Sequence, residues 1–315
     1  MNNLLDVIFS TDFAFSVLRV TTPILFAALG ALISNRAGIV NIGLEGIMLV
    51  AALTGVIASA YTGSAWIGLL AAVIAGLIIT SILAYFTLHF KTNIILGGIA
   101  VNMFASGGTV FILYLVSGDK GASTSLKSEV LPSIAIPFIK DIPVLGPILS
   151  GHNVLTYAAL IATVGVYYML KKTPLGLRIR SVGENYHAAQ SVGVRVNRIQ
   201  FIALLYSGFF AALGGAYMSM GYLSIFTRDM TAGRGWIGIA AEAVGRSTTV
   251  GTFIASMLFG AADALANALQ ILKIPTELIA TTPYVTTVIG LIVYAVAESR
   301  WKKRKKTKHS LKKVQ

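Results

Sequence analysis

The residues of this sequence that could bind a solute are polar side chains inside long apolar stretches. An ionisable group in a membrane span is costly, and it usually faces a water-filled cavity or a partner side chain. Asp263 shares a helical face with Asn267, because the two residues are four positions apart. The candidates for a polar pathway or substrate chamber between helices are Asn41, Glu45, Asn102, Ser106, Trp236, Glu242, Asp263 and Asn267.

These polar faces have two interpretations, a substrate pathway or interhelical hydrogen bonds that only fix the bundle. For Asn41 and Glu45, which are also four positions apart, a structural lock is supported as well as a pathway. Glu45 is predicted to lie near enough to the inner face of the membrane to pair with Arg36 or Arg246. Both interpretations stay open for the faces that carry Asn102 and Asp263.

The charge types on these faces limit the substrate. Carboxylates and amides occupy the inner parts of the predicted spans, whereas arginines such as Arg36 and Arg246 lie near their ends. Such a chamber compensates a phosphate or carboxylate poorly, and it suits a neutral solute rich in hydroxyl and N–H donors, such as a sugar or a nucleoside. Aromatic side chains are common at membrane interfaces, but three near the predicted outer mouth could stack on a ring: Tyr222, Phe226 and Trp236.

No feature of the sequence points to catalysis, a cofactor or a bound metal. The chain has no cysteine, so disulfides, thiolate metal ligands and cysteine nucleophiles are excluded. The phosphate-binding pattern G-x-x-x-x-G-K-[S/T] does not occur, so the chain has no such loop for ATP. Gly233, Gly235 and Gly238 match a dinucleotide motif, but no predicted strand precedes them, and we interpret the match as chance.

The composition predicts an all-α, polytopic transmembrane helix bundle. Of the 315 residues, 56% are hydrophobic and 12% are charged, against about 25% charged residues in soluble domains. A span needs about 20 apolar residues, and about nine segments (eight to ten) qualify. The segment 235–249 is short for a straight span, which favours a broken or re-entrant helix. The segments are 13–33, 37–60, 64–88, 92–116, 153–170, 199–221, 235–249, 251–272 and 279–298.

Lysine and arginine residues determine the predicted orientation. The formal charge is +13, and much of the excess lies in the tail 299–315, which the positive-inside rule places in the cytoplasm. We expect this tail to attract anionic membrane lipid rather than nucleic acid. Nine crossings counted back from the tail put the N-terminus outside. Residues 1–298 then form one transmembrane domain with an external loop at 117–152 and a cytoplasmic loop at 171–198.

The cytoplasmic loop carries the pattern of a short surface helix, predicted at 184–192 and ended by Gly193. Ala188 and Ala189 leave a face that another protein could approach closely, and basic residues flank it. Taken alone, the pattern fits a docking helix and an ordinary loop equally well.

Several motifs resemble those of ABC importer permeases. The string Ala188-Ala189-x-x-x-Gly193 looks like the core of the loop by which these permeases contact their ATPases. Residues 35–46, 233–242 and 258–265 resemble the nucleoside/simple-sugar uptake subgroup, which is related to branched-chain amino-acid and ribose permeases. The match covers nearly the whole chain. The residues that the resemblance assigns to ATPase coupling are Gly183, Glu184, Asn185, Ala188, Ala189 and Gly193.

The resemblance implies a type II importer-like fold in the bacterial plasma (inner) membrane and the uptake of nucleosides, with a ribose- or hexose-type sugar as the alternative. It implies that ATP is hydrolysed by a separate ATP-binding cassette ATPase subunit and not by this chain. A second homologous permease and an extracytoplasmic substrate-binding lipoprotein are the other implied partners. The rival class is an ion-coupled secondary transporter that relays protons or sodium through Asp263 or Glu242.

Overall fold

The computed structural model describes residues 10–137, 142 and 145–269. The predicted span 279–298 and the basic tail 299–315 lie outside the described residues. Both therefore stay predictions from the sequence, and so does the count of nine crossings.

The described part of the chain is built almost entirely of helices. In chain order its elements are α1 (Thr11–Arg36), α2 (Leu44–Thr62), α3 (Ala65–His89), α4 (Ile94–Ser117), β1 (Ser133–Ile134), α5 (Leu145–Leu149), β2 (His152–Asn153), α6 (Val154–Lys172), α7 (Pro174–Glu184), α8 (Tyr186–Ser191), α9 (Val196–Tyr217), a π-helical turn (Met218–Tyr222), α10 (Arg234–Val244) and α11 (Thr249–Leu269). The π-helical turn continues α9 without a break.

Side-chain caps fix where several of these helices begin. The first backbone N–H groups of a helix have no partner within the helix, and Asn or Thr side chains accept hydrogen bonds from them. Asn93, Asn153 and Asn185 cap α4, α6 and α8 in this way. Thr173 caps α7, and Pro174 follows at the first helical position, where its missing N–H is harmless.

Seven helices among the described residues are long and apolar enough to cross a membrane. They correspond to seven of the eight predicted segments that reach into this part of the chain. The eighth segment, 235–249, coincides with α10, a helix of only 11 residues that begins at Arg234. At about 1.5 Å per residue, α10 covers roughly half of a hydrocarbon core about 30 Å thick. It is too short for a straight span, as the sequence predicts.

Helix α9 lies at the centre of the bundle, in contact with α1, α2 and α3. Gly215 of α9 lies directly against the backbone of Met48, and Gly208 lies against Thr80; a Cβ at either glycine would overlap these neighbours. In lipid, small residues allow such close backbone approach. The small residues that recur every four positions on α9 and the π-helical turn after it are all buried: Ala203, Ser207, Ala211, Gly215 and Ser219.

The described parts of the 117–152 loop are tied to the bundle. Strands β1 and β2 pair antiparallel, and the Leu131 N–H donates to the Met220 carbonyl at 2.8 Å. The ring of His152 stacks on Phe15 of α1 with centroids 3.9 Å apart. Burial lowers the pKa of His152, so the imidazole is neutral at pH 7. These contacts give the loop a fixed position over the ends of α1 and α6.

Replacing Gly215 with Leu is expected to prevent α9 from packing against α2. Overfilling a tight site costs about 1–3 kcal/mol, and here the obstacle is backbone, which moves less easily than a side chain. We expect a large loss of monodisperse protein in detergent, measured by size-exclusion chromatography. The matched control is Gly165→Leu on α6, where nothing lies within 4 Å of an added Cβ. Equal yields of the two variants would contradict this packing.

Candidate functional site

Helix α10 is flanked on both sides by strained, non-helical backbone. Residues 223–233 lead into it, and within them Asp229 and Ala232 have φ of 50° and 46°. Arg246 and Ser247, which follow α10, have φ of 57° and 51°. Left-handed conformations are costly for residues other than glycine. Non-helical backbone at membrane depth is tolerated only where it packs on protein or lines a water-filled cavity, so the partners of this segment define the site.

Glu45, near the start of α2, holds the N-terminal end of α10. Its Oε1 accepts the N–H of Gly233 at 2.8 Å, and its Oε2 accepts the N–H of Gly235 at 2.7 Å. A carboxylate here satisfies N–H groups that have no partner within the helix, and the helix dipole favours it. Gly235 permits the approach, because a Cβ built there would be 2.7 Å from the backbone N and Cα of Glu45.

Glu242, which is 3% exposed, is held near the C-terminal end of α10 by the end of α1. Its Oε1 accepts a hydrogen bond from Asn35 Nδ2 at 2.8 Å. The same Nδ2 lies 3.2 Å from Ser247 Oγ, and Arg36 Nε donates to the Ser247 carbonyl at 2.6 Å. The last turn of α1 is therefore bound to the last turn of α10 and to the residues just after it.

The predicted ion pair of Glu45 with Arg36 or Arg246 is wrong. Arg36 and Arg246 lie near the C-terminal end of α10, whereas Glu45 binds its N-terminal end. These ends are separated by 11 residues of helix, or about 16 Å. The sequence places Glu45 near the inner face because it follows Arg36 closely, but residues 37–43 are non-helical and carry the chain deep into the bundle.

We call these two sets of contacts the carboxylate clasp: Glu45 with Gly233 and Gly235, and Glu242 with Asn35. The clasp joins residues that are 188 and 207 positions apart in the sequence. Glu45 of α2 binds the N-terminal end of α10, and Asn35 of α1 binds Glu242 near its C-terminal end. Helix α10 is therefore fixed at both ends by residues that flank the connection between α1 and α2.

Asp263 of α11 forms an ion pair with Arg234, the first residue of α10. The Arg234 Nη2 and Asp263 Oδ2 atoms are 3.0 Å apart, and the two side chains are 17% and 12% exposed. Arg234 departs from the expectation that arginines stay at the ends of spans. The pair leaves this part of the interior without net charge, and removing one partner would strand the other charge. Asn267, one turn further along α11, is exposed.

Two asparagines satisfy the non-helical backbone between α1 and α2. Asn41 is fully buried; its Nδ2 donates to Ser207 Oγ at 3.0 Å, and its Oδ1 accepts the Gly43 N–H at 3.0 Å. Asn102 of α4 accepts the Gly46 N–H at 2.8 Å and donates to a second backbone group of this region, a carbonyl at 2.9 Å. In this conformation both amides are engaged with the protein itself.

Other polar and aromatic candidates reach the surface of the chain. Trp236 is 45% exposed, and Ser106 donates to Asp229 Oδ1 at 2.7 Å. Phe226 is fully buried, so its predicted availability for stacking is wrong. The sequence analysis missed Asp229, because it lies in a turn between spans rather than inside one. The helical spacing of Ser106 from Asn102 predicts a polar face on α4, but it does not identify Asp229 as the residue that binds Ser106.

The cytoplasmic loop forms two helices where the sequence predicts one at 184–192. Glu184 ends α7, and Asn185 is extended and starts α8 by accepting the Ala188 N–H at 3.0 Å. Ala188 is exposed, but Ala189 is buried at 4%. The predicted face formed by both alanines is therefore wrong, because Ala189 points into the bundle.

The end of α7 touches the same chain segment as the carboxylate clasp. Gly183 packs so closely on Arg36 that an added Cβ would overlap the Arg36 carbonyl oxygen. A Cβ on Gly38 would lie 3.2 Å from the Gly183 Cα, and the φ of Gly38 is +74°. The cytoplasmic loop therefore contacts the residues next to Asn35 without an intervening side chain.

Residues 13–297 match the family model described as the permease component of branched-chain amino acid transport systems. The chain belongs to this permease family. It is a multi-pass protein of the bacterial plasma membrane. This permease is 36% identical over 280 residues to the guanosine ABC transporter permease protein NupQ of Bacillus subtilis, and the alignment covers 85% of this chain and 87% of the relative.

The permease also resembles a protein assigned as a glucose ABC transporter permease, TsgC13 of Haloferax volcanii, with 29% identity over 305 residues, 89% of this chain and 90% of the relative. Among solved structures, it resembles an ABC transporter assigned to the metal-chelate type in an inward-facing conformation. The TM-score is 0.51 at 17% identity, over 94% of this chain and 88% of the other. At this identity the likeness shows the fold alone.

Replacing Glu45 with Gln is expected to destabilise the permease, because the amide NH2 would face one of the two N–H groups that the carboxylate accepts. A hydrogen bond to a charged group contributes about 1.5–3 kcal/mol. We expect thermal unfolding in detergent at a clearly lower temperature. The control is Glu129→Gln, the same change on an exposed side chain. If the two variants unfolded at the same temperature, the clasp would not hold α10.

Proposed function

We propose that this permease is the transmembrane subunit of an ATP-binding cassette importer that takes up nucleosides, with ATP hydrolysed by a separate subunit. The observation that carries the proposal is the 36% identity to a guanosine permease over most of both chains. The described interior supports a neutral substrate: Arg234 neutralises Asp263, and backbone N–H groups occupy both oxygens of Glu45.

A simple sugar of the ribose or hexose type is the second candidate, supported by the likeness to the glucose permease. Sugar and nucleoside share hydroxyl groups, so the same polar side chains would serve both. The exposed indole of Trp236 favours the nucleoside, because stacking of a base on an aromatic side chain contributes about 1–3 kcal/mol. The greater identity to the guanosine permease favours it as well.

The proposed topology has nine crossings, with the N-terminus outside and the C-terminus in the cytoplasm. Residues 223–244 would form one composite crossing, non-helical in its outer half and helical in its inner half. Contacts at its two ends support this. Near the outer end the Ser123 N–H of the 117–152 loop donates to the Phe226 carbonyl, and just beyond the inner end Ser247 binds Arg36.

The proposed partners are an ATPase subunit, a second homologous permease and a substrate-binding lipoprotein outside the membrane. The lipoprotein would dock on the external loop 117–152, and the ATPase would dock on the cytoplasmic loop 171–198. The shape of the cytoplasmic loop supports the second contact, because α8 presents exposed residues on a short, capped helix. Val192, which follows α8, is 79% exposed, so it offers an apolar contact beside the polar surface of α8.

The mechanism we propose is alternating access driven by ATP, in which rigid-body movement opens the substrate chamber inward. The rival mechanism relays protons or sodium through Asp263 or Glu242, and the carboxylate that does so must be free to take up the ion. In the described conformation Glu45 and Glu242 hold α10, and Asp263 is paired with Arg234. Using any of them as a relay would break a contact that fixes the bundle, so these contacts favour the ATP-driven mechanism.

The test of the proposed function is uptake of radiolabelled guanosine by a strain deleted for this gene and by the same strain with the gene restored. Uptake is expected only in the restored strain. It should persist when a protonophore collapses the proton gradient while ATP is maintained. Loss of uptake under that condition would support the ion-coupled mechanism. Uptake of ribose or glucose but not of guanosine would support the second candidate.

Replacing Ala188 with Arg is expected to abolish copurification of the ATPase subunit and to abolish uptake, because a long charged side chain would stand on the exposed face of α8. Ala188→Ser is the control, since it is small and keeps the helix surface nearly unchanged. Both variants should reach the membrane in equal amounts, measured by immunoblot. Normal recovery of the ATPase with Ala188→Arg would contradict docking at α8. Ala189 is unsuitable for this test because it is buried.

A further inference from the structure

An exposed charge lies beside the midpoint of a predicted span. Ser106 is 12 positions after the first residue of α4, Ile94, and 11 positions before the last, Ser117. Its hydroxyl donates to Asp229 Oδ1 at 2.7 Å. Asp229 Oδ2 also forms an ion pair with Arg228 Nε at 3.4 Å, and the two side chains are 52% and 68% exposed.

This carboxylate is incompatible with a lipid-facing surface. A charged side chain at the centre of a bilayer costs at least about 2.5–3.5 kcal/mol, and such groups face cavities or partners. The surface between α4 and residues 223–233 must therefore meet water or another polar molecule.

The start of α10, which carries Trp236, lies about one helical turn further toward the predicted cytoplasmic end. Asn102, one turn before Ser106 on α4, binds the N–H of Gly46. The preceding residue, Glu45, binds Gly235, next to Trp236. This chain of contacts places the start of α10 level with Asn102, and one turn of α4 is about 5.4 Å. Along the axis of α4, the start of α10 and the Ser106–Asp229 pair therefore lie about one helical turn apart, a spacing comparable to that of a nucleoside's base and ribose.

We propose that Asp229 and Ser106 form a hydroxyl-binding site for the ribose of the transported nucleoside, with Trp236 stacking on its base. A carboxylate accepts hydrogen bonds from vicinal hydroxyls, as it does from ribose in dinucleotide-binding proteins. The Ser106 hydroxyl, which now donates to Asp229, can turn to accept from the sugar. The proposal rests on the proposed function, since it deepens the choice of nucleoside as substrate.

Accessibility to water is tested with thiol labelling, which the cysteine-free sequence makes direct. Ser106→Cys in the assembled transporter is expected to react with a hydrophilic, membrane-impermeant methanethiosulfonate added from outside, read as a mass shift of this chain. The control is Ile78→Cys, 53% exposed and also near the midpoint of its helix, α3; it is expected not to react. Absence of labelling at Ser106→Cys, or equal labelling of both, would overturn the proposal.

Recognition of the ribose is tested by transport of guanosine and of 2′,3′-dideoxyguanosine, each at a concentration well below the one that saturates uptake. Asp229→Asn is expected to lower the rate for guanosine about tenfold and to change the rate for the dideoxynucleoside little. A purely structural role would lower both rates equally, and that result would overturn the site. Glu129→Gln, another exposed carboxylate outside the site, is expected to leave both rates unchanged.

Failure of the proposed function gives a different result. If the intact transporter carries ribose or glucose but no nucleoside, the nucleoside assignment falls. The hydroxyl site would still be supported if Ser106→Cys were labelled and Asp229→Asn slowed the sugar about tenfold. If Asp229→Asn left the sugar rate unchanged, the site would fall as well.

Discussion

Backbone that leaves the helical conformation inside a membrane has to find hydrogen-bond partners in the protein, because lipid offers none. In the described part of this permease, residues 37–43 and 223–233 are two such stretches, and several polar side chains bind them. Asn41 and Asn102 bind the first stretch, and Glu45 binds the end of the second. The carboxylate clasp brings the two stretches together, because Glu45, which follows the first stretch closely, binds the last residue of the second.

The same contacts connect the two faces of the molecule. At the end of α7, in the loop 171–198, Gly183 lies directly against Arg36, which follows Asn35 of the clasp. At the other end of α10, Arg234 joins α11 through Asp263. A displacement of α7 and α8 by a docked ATPase would press on the chain segment that holds α10. That segment is the one next to which the hydroxyl site is proposed, so the structure offers a short mechanical connection between the two.

The helical spans were predictable from the sequence, whereas the contacts that their side chains make were not. Long apolar segments give seven spans because length and hydropathy are local properties, and the shortness of 235–249 was visible for the same reason. The partner of Glu45 was not predictable. Arg36 is close to Glu45 in the sequence, but whether the two side chains meet depends on how far residues 37–43 carry the chain into the bundle. The exposure of Asp229 and the burial of Ala189 depend on which helices pack alongside, and one sequence does not encode that in any local pattern.

The order of synthesis gives the clasp a further consequence. Glu45 leaves the ribosome 188 residues before Gly233, a delay of about 10–40 s at ordinary rates of translation. During that interval the first helices stand in or beside the insertion machinery with a carboxylate and two amides that have not met their final partners. The nascent chain therefore needs water, a chaperone or the translocon itself beside these groups, and truncated products that end before α10 should be recognised and degraded as incomplete.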